Sequence, residues 1–318
     1  MKHATPFRSI RNAFTMLELI FVIVILGIVA SIGSQMIVQA YQAYLMQRAV
    51  HRAGVKTELA VNLLANRLTD RIDRSLIARR PPDATGAYTG NTYGTDLYPA
   101  GEVPIDKVDI FRMLEWIGYD HDSFNLRSLP AWNGYCDINN STFSTLVTPS
   151  SRLTDLNLTS GYYLGSNKPA VVFRGTPHYK DTNGSYRADC MYTSNGCIFP
   201  VQAASDTQLN FTGGGDRTAG AMVYSESYRL ANSAFAVVPT NEHNISGTPT
   251  WDLELRYGYQ PWLGENHKDN ATRTLLLRNV SVFRFRKEIN SIRIKLCTIE
   301  RIATGSTISL CKEKAVIR

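Results

Sequence analysis

The 318-residue chain carries 34 basic and 27 acidic residues, a net charge of +7. That length holds one large domain or two small ones, and no run of Lys and Arg is interleaved with aromatics, so nucleic-acid binding gets little support. It contains no G-x-S-x-G, no H-E-x-x-H and no phosphate loop, which removes the usual signatures of hydrolases, zinc proteases and nucleotide enzymes.

Taken in order, the chain opens with Lys2, Arg8 and Arg11 and no acid, ahead of the small residue Ala13. The stretch Ala13–Val38 is largely apolar and uncharged apart from one carboxylate, Glu18, and no further charge follows until Arg48. About 20 such residues cover the hydrocarbon core of a bilayer as a helix. A carboxylate inside a spanning helix costs a few kcal/mol, on the order of 3 at the centre and less near the interface, so it usually has a partner. A cut after Ala13 would create one, the α-amino group of Phe14, four residues before Glu18 along the same helix face. A simpler reading leaves Glu18 as a snorkelling carboxylate favoured by the helix dipole. Basic residues flank both ends of the span (Arg48, Arg52 and Lys56 follow it), so charge counting does not set its orientation.

The succession of basic leader, Ala13, Phe14, Thr15, Glu18 and an uncharged helix resembles the class III signal of type IV pilins and type II secretion pseudopilins. The resemblance covers about 25 residues and departs from the family at Ala13, where glycine is usual. It implies that a prepilin peptidase removes residues 1–13 and methylates the amine of Phe14. It also implies that residues 14–38 remain as inner-membrane anchor and filament core, and that Glu18 pairs with the terminal amine of a neighbouring subunit. The leader then faces the cytoplasm and the rest the periplasm. Removing three of the 34 basic residues against 27 acidic ones leaves a mature charge of +4. The competing readings are an ordinary signal anchor and a secretory signal peptide, though the latter is cut after its apolar run and does not need Glu18.

Residues 39–80 continue the helical pattern, with Val61, Leu64, Leu68, Ile72 and Leu76 forming one apolar stripe. No proline occurs between Phe14 and Arg80, so one helix is expected from membrane to head, bending at Gly27, Gly33 or Gly54 and ended by Pro81-Pro82. Residues 81–318 are expected to form a β-rich globular head. Asp83–Pro104 reads as a loop and Asp106–Ile117 as a short helix. Strand signals follow at Ala170–Arg174, Ile198–Val201, Gln208–Phe211, Ala221–Tyr224, Ala234–Val238, Trp251–Tyr257, Thr274–Phe285 and Ile292–Ile299. The fold class is therefore α+β, a long helix packed on an antiparallel sheet, and the resemblance implies a pilin-like fold.

A looser resemblance lies between Trp251 and Cys297, where WDLELRYGYQPW, LLLRNVSVFRFRKE and SIRIKLC are similar to large J-type minor pseudopilins. Their N-V-x-x-F-like segment corresponds to Asn279, Val280 and Phe283. It implies a bulky subunit near a filament tip, with other minor and major pilins or pseudopilins and the prepilin peptidase as partners.

Five cysteines occur without a C-x-x-C pair, and the histidines are scattered, so zinc and redox sites are poorly supported. An oxidising periplasm favours disulfides, and sequence proximity pairs Cys190 with Cys197 and Cys297 with Cys311. Cys136 is then left buried or paired between chains, and five unbridged buried thiols remain the other reading. Of the Asn-x-Ser/Thr triplets, those at Asn139, Asn157, Asn183 and Asn244 carry an acid two residues earlier. That arrangement resembles the acceptor sequence of a bacterial N-glycosylation pathway, and polar turns explain the same residue types without it. Asp181-Thr182-Asn183-Gly184-Ser185 faintly resembles a calcium loop but lacks the closing acid of an EF-hand, leaving a structural calcium as the sole cofactor suggested. The sequence thus points to a non-enzymatic assembly subunit. The alternative is a periplasmic binding module or enzyme tethered by the same anchor.

Overall fold

A computed structural model describes residues 15–81, 93–124, 130–156, 169–174, 198–212, 225–302 and 305–317. Its first element is one helix, α1 (Met16–Thr69), 54 residues long. At 1.5 Å per residue it extends roughly 80 Å. Its first two-thirds stand free of the rest, and burial begins at Ala53 and continues through Thr57, Ala60, Val61, Leu64, Ala65 and Leu68.

Among the described residues twelve antiparallel strands form the head: β1 (Ile77–Arg79), β2 (Leu97–Pro99), β3 (Met113–Tyr119), β4 (Thr145–Val147), β5 (Ala170–Phe173), β6 (Phe199–Ser205), β7 (Gln208–Phe211), β8 (Tyr228–Ile245), β9 (Thr248–Tyr259), β10 (Thr272–Lys287), β11 (Ser291–Arg301) and β12 (Thr307–Ile317). They run in the order β12-β11-β10-β9-β8-β5-β6-β7-β4. The 18-residue β8 joins the parts, pairing with β9 along one edge and with β3 and then β5 along the other. The second half of α1 lies across β12, β11 and β10.

Alternation along the strands sorts side chains into layers. Val237 of β8, with Leu253, Val280, Ile294 and Leu296, faces Leu64 and Leu68 of α1. Ala236 and Val238 turn the other way, against Ile77, Met113 and Ile117. A third cluster, around Trp132, Phe199 and Tyr228, fills the far end under β4 to β7. The α+β arrangement is thus that of a long helix packed on an antiparallel sheet.

Three expectations are corrected, the first being the loop at Asp83–Pro104, within which Leu97–Pro99 forms β2 and pairs with β1. The helix ends at Thr69, not at Pro81-Pro82, so residues 70–80 belong to the head and not to the helical stalk. The stripe through Ile72 and Leu76 continues at helical spacing, yet tertiary contacts take it elsewhere. The Ile72 N–H donates to the Ile117 carbonyl (2.8 Å), and the buried Arg71 guanidinium donates through Nη1 to the Leu68 carbonyl (2.8 Å), closing the helix end. After a 3-10 turn at Asp73–Ser75 the chain becomes β1. The helix expected at 106–117 is likewise absent: a 3-10 turn at Ile105–Lys107 precedes β3. Six consecutive residues of β3, Met113 to Gly118, are buried, and such a strand shows no period-two signature. Of the expected strands, Ala221–Tyr224 lies outside the described residues.

Candidate functional site: the helix start and its surroundings

Thr15 stands just outside α1 with extended backbone (φ −72°, ψ 148°), and its hydroxyl accepts from the Glu18 N–H at 3.4 Å. The same hydroxyl lies 3.5 Å from Glu18 Oε2. Thr15 is thus the N-cap, and its hydroxyl satisfies one helix donor that has no partner within the helix. The Glu18 carboxylate stands exposed on the first turn. Ala13 and Phe14 lie outside the described residues.

Beyond Glu18 the helix exposes Leu19, Phe21, Ile23 and Ile25, each more than half accessible. This stretch is long and apolar enough to cross a membrane, and none of it is covered by the rest of the described residues. A helix apolar all round and uncovered needs an apolar surrounding, either a bilayer or other helices.

Where α1 meets the head the contacts turn polar. Lys56 pairs with Glu300 (3.3 Å) and Glu58 with Lys312 (3.1 Å), while Lys314 Nζ donates to Asn62 Oδ1 (2.6 Å). Beneath them the fully buried Thr57 and Thr298 hydroxyls are 3.0 Å apart. Leu59 and Leu63 escape the sheet and, with Leu275 of β10, flank an apolar groove of about 480 Å³.

The structure contains the Cys297–Cys311 disulfide, which links directly opposed residues of β11 and β12. Cys190 and Cys197 lie outside the described residues, as do Asn157, Asn183 and the Asp181–Ser185 loop. Cys136 is buried and donates through Sγ to the Ser225 carbonyl at 3.1 Å. Burial, with Glu226 and Asp137 adding to it, pushes its thiol up to about 11, so it is unreactive near neutrality. Asn139 and Asn244 are exposed, one in the turn opened by Asp137 and the other near the tip of the β8–β9 hairpin. No group of three His, Cys, Asp or Glu residues suited to a metal ion occurs among the described residues.

Asn279, Val280 and Phe283 have a packing explanation. Asn279 takes a positive φ of 57° where β10 shifts register, a conformation that Asn tolerates better than most residues. Its Oδ1 lies 3.1 Å from His243 Nε2, and Val280 and Phe283 enter the core under α1.

Sequence reading missed a buried polar cluster assembled from four elements. Glu115 of β3 is fully buried and receives Arg79 Nε (3.1 Å) and the Tyr259 hydroxyl (2.6 Å), with His267 Nδ1 at 3.3 Å. The partners lie 36 to 152 residues from Glu115 in sequence, and the one available signal was an acid inside an otherwise apolar run.

With this geometry in place, comparison with known families finds the prokaryotic N-terminal methylation motif over residues 8–34. No curated protein and no solved structure matches the chain. The matched segment spans Ala13, Phe14, the Thr15 cap and Glu18 and runs into the uncovered apolar helix. The chain thus bears a type IV pilin-like prepilin signal, which supports its placement with the pilins and pseudopilins.

Proposed function

We propose that this chain is a minor subunit of a type II secretion pseudopilus or type IV pilus, of the large J-like kind. In this reading a prepilin peptidase cuts between Ala13 and Phe14 and methylates the new amine. The apolar half of α1 holds the product in the inner membrane with its head in the periplasm, and the subunit is later drawn into a filament tip. The observation that carries the proposal is the methylation motif continuing into a helix whose apolar surface none of the described head residues covers. Thr15 then caps the helix, and Glu18 offers its carboxylate to the terminal amine of a neighbour in a low-dielectric surrounding. Leu59 and Leu63 extend the apolar face of the helix beyond the membrane half, where further subunits would pack.

The decisive measurement is the intact mass of the protein purified from membranes without reductant. The expected species lacks residues 1–13, carries one methyl group and retains disulfides. A full-length, unmethylated chain would overturn the proposal. We also propose glycans on Asn139, Asn157, Asn183 and Asn244. Asn140 offers a competing triplet, but its side-chain amide is donated to Asp137 Oδ2 at 2.7 Å, which favours Asn139 as the acceptor. The same spectrum should show added sugar mass that falls when the four asparagines are replaced by glutamine.

A further inference from the structure

We infer that the cleft between the end of α1 and the β5–β8 pair is a binding site for an oxyanion, a phosphate or a carboxylate. The cleft has a volume of about 300 Å³, and three arginines from separate elements line it. Arg74 comes from the turn that follows α1, Arg174 from the end of β5, and Arg229 from β8. Arg229 lies opposite Val172 in the β5–β8 ladder, so the pairing register itself brings Arg174 and Arg229 to one end of the sheet. The ending of α1 at Thr69 swings Arg74 toward them.

The charge balance is what asks for a ligand. Among the described residues Asp73 is the one acid lining the cleft, and both its oxygens are taken: Arg71 Nε is 3.0 Å from Oδ1 and Lys287 Nζ is 2.9 Å from Oδ2. Two cations outside the lining thus already answer the single carboxylate. The Arg74, Arg174 and Arg229 side chains make no hydrogen bond or salt bridge to any carboxylate among the described residues. Arg74 is half-buried, and its Nη1 is enclosed by protein without a hydrogen-bond partner among the described residues. Burial disfavours its charge, and neighbouring Asp73 offsets this only in part. The Arg229 guanidinium lies over the Tyr119 ring, 5.0 Å from its centroid.

Converging guanidiniums repel one another, and their forked donors match the oxygens of phosphate and carboxylate groups. An ordinary solvated surface explains one exposed arginine such as Arg174. It does not explain an enclosed guanidinium nitrogen with no partner among the described residues, sharing one cleft with an arginine set over a ring. A small oxyanion seated among the three would supply the missing acceptors and relieve the repulsion.

The test is calorimetric titration of the full chain in detergent at constant ionic strength, with inorganic phosphate in one arm and citrate in the other. Saturable one-to-one binding of at least one probe is expected, and the arm that binds more tightly identifies the anion class. Arg174→Gln, an exposed side chain with no bond to lose, should weaken binding at least tenfold, and Arg229→Gln likewise. Lys295→Gln, an equal charge change on the exposed face of β11, should leave it unchanged. Absence of saturable binding in both arms would overturn the inference. So would equal affinity in wild type and Arg174→Gln, or an equal loss in Lys295→Gln.

Discussion

Glu115 shows what one residue can commit a fold to. Its carboxylate is removed from water in the middle of β3, and Arg79, equally buried, is its charged neighbour on β1. Two ions in such a place add little net stability when both are present, but removing one partner of a buried pair is costly. Glu115→Leu should therefore cost about 3–5 kcal/mol in chemical denaturation, while the double change Glu115→Leu with Arg79→Leu should recover much of it. A single-variant loss below about 1 kcal/mol would show that solvent reaches Arg79. Asp73 makes a pH-dependent contribution. Burial alone would raise its pKa, but Lys287 and then Arg71 outweigh that and hold it below the ordinary carboxylate value of 3.8. A carboxyl with a depressed folded value contributes stability in full above its unfolded value, near 4, and loses it as pH falls through the lower folded value. Wild type should accordingly lose more stability than Asp73→Asn between about pH 5 and 2 in parallel denaturation curves.

At the scale of elements, periodicity served well where one face was buried and failed where it was not. Val61, Leu64 and Leu68 announced the buried side of α1, and β9, β10 and β11 could be read to within a few residues because their inward positions alternate. Strand β3, buried on both faces, offered only an apolar run whose spacing also suits a helix. Strand β12, with Lys312, Glu313 and Lys314 at its centre, was not among the expected strands. It is the sheet's edge, where charge is the usual protection against further pairing. The end of α1 was illegible for a different reason: it is fixed by bonds from Ile72 to β3 and from Arg71 back to Leu68, which no local pattern encodes. The helix–sheet contact makes a matched prediction. Leu64 is 1% exposed and Leu59, on the opposite side, 64%. Leu64→Ala should cost about 2–5 kcal/mol and Leu59→Ala less than about 0.5 in the isolated protein. Equal costs would mean that the helix is rotated on the sheet.

Over the whole molecule, α1 is two objects joined without a break. Up to about Val50 it contributes almost nothing to the head's core, and from Ala53 to Leu68 it supplies one wall of that core. The head is therefore expected to fold without the membrane half but not without the second half. A chain beginning at His51 should be soluble and monomeric, with a cooperative thermal transition and the Cys297–Cys311 bridge intact. It keeps every buried side chain of the helix, together with the Lys56–Glu300 and Glu58–Lys312 pairs. A chain beginning at Asp70 uncovers Trp251, Leu253, Ile294 and Leu296 on one face of the sheet. An exposed apolar sheet face of that kind drives aggregation, so this shorter chain should be insoluble or lack a cooperative transition. Circular dichroism melts and light scattering of the two chains decide the matter. If the chain from Asp70 melts cooperatively as a monomer, the helix is an attachment to a self-sufficient sheet. If the chain from His51 aggregates, residues before Ala53 shield the head in a way the packing does not reveal. The expected pattern, a core completed by the very helix that carries the anchor, would couple head and membrane segment as one rigid lever. Force applied along α1 would then reach the sheet through Leu64 and Leu68 and not through a flexible linker.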